Sequence, residues 1–335
     1  MITIKELAKR LNLSPSTVSK ALHDYPGIGL VTKEKVKALA KELHYVPNQA
    51  AIHFKQQKTF TLGVILPSLL DQFYSLAVNG IENYTMDHDY SVLICQSHEN
   101  VEREKQLLSI MQRNRVDGLI ISVTKNTTDY SHITNLQESG IPVIFIVRKP
   151  TQLPCHSVTS DVYKGALEAV ELLIKRGHKR IGYINGPVSW VASTERFLGY
   201  RDALLQHQVV YDPELVKVSD LTTVGNQEAI KSLLSVSNPP TAILTFKDYV
   251  LLDALQYLKK SKHRDAYGSL EFIGFGALPL FEYLDRQPLA SIQEPPYQIG
   301  EKAATMLLDL IRNPGVKIPF QQVALPCNLK IYQKI

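Results

Sequence analysis

The stretch from Thr3 to Leu22, TIKELAKRLNLSPSTVSKAL, constrains this chain more than any other. Ile4, Leu7, Ala8 and Leu11 fall at the i, i+3, i+4, i+7 spacing of one helix face. Thr3 and Glu6 form a Thr-x-x-Glu capping box in front of it. Asn12 tolerates left-handed backbone and suits a tight turn. Ser14 and Pro15 then supply an N-cap and a first-turn residue for a second helix, whose apolar side is Val18, Ala21 and Leu22. Two short amphipathic helices across a three- or four-residue turn read as a helix-turn-helix. Pro15, Ser16, Thr17, Ser19 and Lys20 are small or basic and lie off the apolar stripe, as a helix laid into a DNA major groove requires. A capped helical hairpin with no DNA role fits the same residues, so the rest of the chain has to separate the two.

Charge begins to do so. Residues 1–59 hold ten Lys and Arg against four Asp and Glu, whereas the remainder holds 27 against 28. All of the positive excess accompanies the helix-turn-helix, as expected of a segment that faces phosphates. No run approaches the ~20 apolar residues of a membrane span, and the polar, basic start has no apolar core of a secretory signal. Cys95, Cys155 and Cys327 are too far apart for a disulfide framework or a zinc cluster. They read as reduced thiols of a cytoplasmic protein.

A third helix is expected over about 30–43, with Val36, Leu39, Ala40 and Leu43 on one face and Gly29 or Thr32 as its cap. Pro47 disfavours helix at Val46 and ends it. Asn48 can cap a short helix from Gln49 to about Gln56, too short to be stable alone in water, so it would form only when something holds it. From residue 60 the texture changes. Apolar strands at 62–66, 91–95, 118–123, 142–147, 180–185, 241–246 and 271–275 alternate with amphipathic helices near 74–87, 101–113, 163–176, 194–207, 224–235 and 249–260. Such alternation indicates parallel sheets covered on both faces, here in two α/β subdomains.

Enzyme signatures are missing. There is no Gly-x-Gly-x-x-Gly after the first strand, no phosphate-binding Gly-x-x-x-x-Gly-Lys-Ser/Thr loop, no Gly-x-Ser-x-Gly and no His-Glu-x-x-His. We expect no enzyme, no cofactor and no metal. A binding cleft is better supported, because ligands of open α/β sheets sit beyond the carboxyl ends of the strands. Phe73, Tyr74, Thr124, Arg148, Asp161 and Trp190 lie at such ends. Each also has a plainer reading, as helix-start packing for Phe73 and Tyr74, a cap for Asp161 and a surface charge for Arg148.

Three stretches, Thr3-Ile4-Lys5-Glu6-Leu7-Ala8, Ser14 through Leu22 and Tyr45-Val46-Pro47-Asn48, carry a resemblance to the lac repressor-type family of bacterial transcription regulators, and it extends over essentially the whole chain. The resemblance implies a helix-turn-helix domain (1–47), a hinge (48–59) and an effector-binding and dimerisation domain (60–335) with the fold of the periplasmic sugar-binding proteins. It implies three chain crossings between subdomains, near residues 161, 291 and 321. The first subdomain would be about 60–160 plus 292–320, and the second about 162–290 plus 322–335. Segment 48–56 matches the family's hinge helix, which enters the minor groove, so Asn48, Ala51, Phe54 and Lys55 join the expected DNA contacts. Phe54 stands where relatives have a wedging leucine; phenylalanine can also serve as such a wedge. Ser16 and Lys20 are the base-edge candidates with Pro15 in apolar contact, and Ser14, Ser19, His23 and the Asn48 region the phosphate contacts. Arg196, opening Arg-Phe-Leu-Gly-Tyr, matches the family's effector-contacting arginine.

The departures matter as much. Val147 occupies a place where many relatives carry an acid, Gly274-Phe275-Gly276 replaces a Gly-Phe-Asp, and Lys247-Asp248 replaces an Asn-Asp pair. Loss of two carboxylates beside Arg148, Arg196 and Lys247 predicts a positive cleft and an anionic sugar or sugar phosphate as effector. The function so implied is a homodimeric repressor of carbohydrate-related genes on an approximately palindromic operator. The alternative is a cytosolic sugar-binding or scaffold protein with no DNA role.

Overall fold

The computed structural model describes residues 2–45, 58–260, 269–316 and 318–333. It divides into two compact units, residues 1–59 and 60–335.

In the first unit, α1 (Ile4–Leu11) starts at the capping box. Glu6 N–H donates to Thr3 Oγ1 at 3.3 Å, and Thr3 N–H donates back to Glu6 Oε2 at 2.7 Å. Asn12 ends it in the left-handed region, φ 52°. Ser14 caps α2 (Pro15–Leu22), its Oγ accepting the Thr17 N–H at 3.0 Å. Gly29, not Thr32, precedes α3 (Leu30–Glu42), with no side-chain cap. Leu7, Ala8, Val18, Ala21, Val36 and Ala40 close a small core between the three helices.

The second unit carries, among its described residues, the strands β1 (Thr61–Leu66), β2 (Ser91–Gln96), β3 (Gly118–Ile121), β4 (Val143–Ile146), β5 (His156–Ser160), β6 (Ile181–Asn185), β7 (Val216–Val218), β8 (Ala242–Thr245), β9 (Glu271–Phe275), β10 (Ala290–Gln293), β11 (Gln322–Leu325) and β12 (Asn328–Ile331). Its helices are α4 (Gln72–Met86), α5 (Val101–Arg113), α6 (Ser131–Glu138), α7 (Val162–Lys175), α8 (Val191–Gln206), α9 (Thr223–Leu234), α10 (Asp248–Lys260) and α11 (Pro296–Arg312). Two six-stranded sheets result, ordered β11-β5-β4-β3-β1-β2 and β12-β10-β9-β8-β6-β7. Every described pairing is parallel except that of β12 with β10. The continuous apolar strands have the burial this demands: β3, β4 and β8 show no exposed residue.

The chain passes between subdomains after β5 at Asp161, after β10 at Glu294–Pro295, and between β11 and β12 at Pro326–Cys327. Two expected boundaries therefore move. Residue 291 belongs to β10, in the second sheet. The strand at 322–325, assigned from the sequence to the second subdomain, pairs with β5 in the first, Val323 opposite Val158. Pro326 supplies the physical reason, since a residue without an N–H interrupts the ladder and splits one apparent terminal strand into two that serve different sheets.

Each subdomain is tied by one close helix pair. A methyl placed on Gly300 of α11 would overlap the Ala77 carbonyl of α4, and one on Gly199 of α8 would overlap the Tyr163 carbonyl of α7. Those glycines let the two backbones touch and hold the strand ends that face the cleft.

Candidate nucleic-acid interface and effector cleft

On α2, Ser14, Pro15, Ser16, Lys20 and the following His23 are exposed, while Thr17 and Ser19 are half-buried. Thr17 is already engaged, its Oγ1 lying 2.8 Å from Ser14 Oγ. Lys20 Nζ lies 5.3 Å from the centre of the Tyr25 ring, which holds the ammonium at the end of the helix without neutralising it. Two of the unit's acids are engaged internally. Glu6 serves the capping box, and Asp24 takes Lys37 Nζ at 2.6 Å, the hydrogen bond that holds its carboxyl below the usual carboxylate range. What remains on the surface is dominated by lysine and arginine. The expected hinge positions Asn48, Ala51, Phe54 and Lys55 lie outside the described residues.

In the second unit the carboxyl ends of both sheets carry three cations. Arg148 follows β4 through Val147, whose φ of 63° is an outlier for a β-branched residue. The Val147 side chain turns into the first subdomain's core, and Arg148 is the residue presented. Its Nη1 donates to Glu99 Oε1 at 2.9 Å and to the Val123 carbonyl at 3.3 Å, and the guanidinium lies 5.3 Å from the Trp190 ring centre. Glu99 is itself at φ 58° and also takes the Lys125 N–H at 2.9 Å. Trp190 stands at the start of α8, 5.9 Å from Phe246.

Arg196, on the first turns of α8, is 3% exposed. Its guanidinium lies between Phe246 and Phe275, at 4.6 and 4.3 Å, and Nη2 donates to Glu294 Oε2 at 3.2 Å. Its buried Nε–H has no hydrogen-bond partner in the protein. Lys247, after β8, donates to Asp71 Oδ2 at 2.6 Å. Asp71 simultaneously caps α4, accepting the Phe73 N–H at 3.1 Å. Burial works to raise the Asp71 carboxyl, but Lys247, the Phe73 N–H and Arg148 together hold it below the usual range. Phe73 packs edge-on against Tyr74 at 5.8 Å, and Tyr74 is buried with its hydroxyl 3.1 Å from Ser122 Oγ. Asp71, Phe73, Lys247, Phe275 and Glu294 line one cavity between the subdomains.

Thr124 and Asp161, expected in the cleft, are committed elsewhere, and Asp248 lines the cavity with both carboxylate oxygens already bonded. Thr124 is buried in a network under the β3–α6 loop, its N–H donating to Glu104 Oε2 at 2.7 Å and its hydroxyl 2.7 Å from that of Thr127. Asp161 caps α7, accepting the Lys164 N–H at 3.0 Å. Asp248, 1% exposed, takes Ser291 Oγ on one oxygen at 2.7 Å and the Leu278 N–H on the other at 3.0 Å. Burial raises its pKa to about 6 despite those bonds.

The sequence reading missed Asp71, Glu99 and Glu294. Each follows a strand's carboxyl end, after β1, β2 and β10, and that placement was a usable signal. They correct the expectation of an acid-poor, positive cleft: Arg148, Arg196 and Lys247 each carry a carboxylate partner. Among the described residues no group of His, Cys, Asp and Glu could hold a metal ion.

A three-helix unit with a basic, polar recognition helix, in one chain with a two-subdomain α/β unit whose sheets present their carboxyl ends to a common cleft, defines a ligand-responsive DNA-binding regulator. Residues 3–48 match the model of bacterial regulatory proteins, lacI family, and residues 59–331 that of periplasmic binding proteins and the sugar binding domain of the LacI family. The chain belongs to the lacI family of bacterial regulatory proteins. It is 32% identical to EndR of Paenibacillus polymyxa, a probable HTH-type transcriptional regulator, over 92% of this chain and 90% of that one. It is 30% identical to the HTH-type transcriptional repressor CytR of Escherichia coli strain K12, over 94% and 91%. The lac repressor dimer bound to operator and an anti-inducer shares the fold, with a TM-score of 0.81, 24% identity and coverage of 98% and 97%. The protein is a transcription regulator and not an enzyme. It binds DNA through its first unit and carries the family's sugar binding domain in its second, which removes the alternative of a sugar-binding protein without a DNA role. Among the described residues no helix is long and apolar enough to cross a membrane.

Proposed function

We propose that this regulator acts in the cytoplasm as a repressor of carbohydrate-related genes, and that a sugar or sugar derivative in the inter-subdomain cleft controls it. The observation that carries the effector site is Arg196. A buried N–H without a partner costs about 1–3 kcal/mol, and this one belongs to a side chain held rigidly between two aromatic rings at the strand ends. A ligand oxygen at Nε relieves that cost. Trp190, stacked on Arg148 at the same strand ends, offers a face for a sugar ring.

On DNA, α2 enters the major groove. Ser16 and Lys20 read base edges, Pro15 makes apolar contact, and Ser14, Ser19 and His23 meet phosphates. Thr17 supports Ser14 rather than a base. Asn48 meets phosphate, and Ala51, Phe54 and Lys55 act at the minor groove. Lys20→Ala tests the scheme on an operator selected from random duplexes. Loss of a base contact costs roughly 1–3 kcal/mol and relaxes one operator position, whereas a uniform loss across sequences with a shallower salt slope makes Lys20 a phosphate contact.

A further inference from the structure

Of the three charged pairs at the strand ends, only one spans the two subdomains directly. Arg148 and Glu99 both follow strands of the first sheet, and Arg196 meets Glu294 at a chain crossing. Asp71 precedes α4 in the first subdomain, and Lys247 follows β8 in the second, so their 2.6 Å contact exists only at the present subdomain angle. The three pairs also differ in how easily they exchange. Arg196 and Glu294 have side chains 4% and 13% exposed, so separating them strands a buried charge. Lys247 and Asp71 are 35% and 29% exposed, and such a pair breaks at little cost. Once separated, Asp71 keeps the Phe73 N–H and the field of Arg148, while Lys247 loses its carboxylate partner. Glu294 and Asp248 line the same cavity, but they are satisfied by Arg196 and by Ser291 with the Leu278 N–H.

We propose that Asp71–Lys247 is a latch across the cleft, and that a small ligand bearing a carboxylate or phosphate opens it by taking Lys247 from Asp71. This rests on the cleft being the effector site. The exchange keeps an anion on the ammonium, and the added negative charge falls on Asp71, which is 29% exposed and retains the Phe73 N–H. It also frees the two subdomains from each other. A neutral ligand gains nothing at Lys247 that Asp71 does not already supply.

The full-length protein carries its own reporter, since Trp190 is the single tryptophan and lies across the cleft on Arg148. Its emission is titrated with glucuronate, galacturonate and glucose 6-phosphate, with glucose and galactose as neutral controls. Saturable binding of at least one acid is expected, and carboxylate against phosphate is read from which of the three binds. Lys247→Gln weakens that acid roughly ten- to hundredfold, the worth of one hydrogen bond to a charged group. Asp71→Asn removes the internal competitor and strengthens it up to about fivefold. Without ligand, Asp71→Asn and Lys247→Gln each widen the solution scattering radius, and the double variant adds nothing to either. Neutral sugars binding while no acid does, acids binding equally to Lys247→Gln, or unchanged scattering in both single variants would overturn the latch. The Arg196→Met, Glu294→Gln double variant, which leaves no stranded charge, separates the two readings: acid binding that survives it overturns the cleft itself, whereas neutral-sugar binding abolished by it leaves the cleft standing without the latch.

Discussion

Replacing Arg196 with Met tests the packing and the chemistry of the cleft together. Met keeps an unbranched apolar stem between Phe246 and Phe275 and removes only the charge and the donors. Glu294, 13% exposed, then loses its guanidinium. Breaking a buried pair on one side costs roughly 3–5 kcal/mol, because the remaining charge is uncompensated. At roughly 2–4 °C per kcal/mol for a domain of this size, the effector unit should melt roughly 6–20 °C lower by calorimetry on the full chain. Adding Glu294→Gln removes the orphaned charge and should recover most of the loss, so the double variant lies within about 2 kcal/mol of wild type. That double variant is the useful one for function. It should bind operator with unchanged affinity, since α2 lies in a separate compact unit, and no ligand should change that affinity. A single variant melting within about 2 °C of wild type would refute the buried-pair argument. A stable double variant that still responds to ligand would refute the role of Arg196.

Two further outcomes follow from the same structure. Gly300→Ala forces a methyl into the Ala77 carbonyl and should cost about 1–3 kcal/mol by overpacking, read as a lower denaturant midpoint with an unchanged slope. Asp248 titrates near 6 in the fold against 3.8 when unfolded, so the native state holds its proton more tightly. Its contribution is fully present below pH ~4 and is lost as pH rises through 6, by roughly 3 kcal/mol at ~1.36 kcal/mol per pH unit. Asp248→Asn should therefore flatten the stability profile between pH 4 and 6, and a wild-type profile flat over that window would refute the shift.

Much of the fold is written locally. Thr3, Glu6, Asn12, Ser14 and Pro15 set the ends of α1 and α2 by bonds that reach at most a few residues, and each appears as expected. Helices from the apolar periodicity start and stop within about three residues of their positions, because burial of one face is what fixes them. The strands that escaped are those whose burial does not depend on apolar side chains. Strand β5 reads His-Ser-Val-Thr-Ser, yet His156, Ser157 and Ser160 are buried because β4 and β11 flank it in the ladder. Short edge strands such as β7 and β12 lack the run of apolar residues that marks a central one. Helix α6 begins after Tyr130, which offers no side-chain cap; Asp129 accepts the Ser131 N–H at 2.9 Å from one position outside the usual cap.

The charges of the cleft were legible one at a time and misleading as a sum. Counting acids next to Arg148, Arg196 and Lys247 in the sequence suggests a deficit, because their partners come from elsewhere: Lys247 and Asp71 are 176 residues apart, Arg196 and Glu294 98, Arg148 and Glu99 49. Only the sheet topology brings them together. Once they are paired, net charge no longer describes the site; what matters is which pair depends on the subdomain angle. Allosteric coupling needs only about 1–3 kcal/mol between two states. A half-buried salt bridge and a half-buried cation–π contact, worth about 1 kcal/mol each, reach the lower end of that range. Asp71–Lys247 and Arg148–Trp190, both formed across the cleft, are one of each. Strong buried pairs shape the cleft, and weak ones spanning it are what a ligand can overturn. A cation with no carboxylate partner would bind an anion more tightly but would leave the subdomain angle indifferent to it.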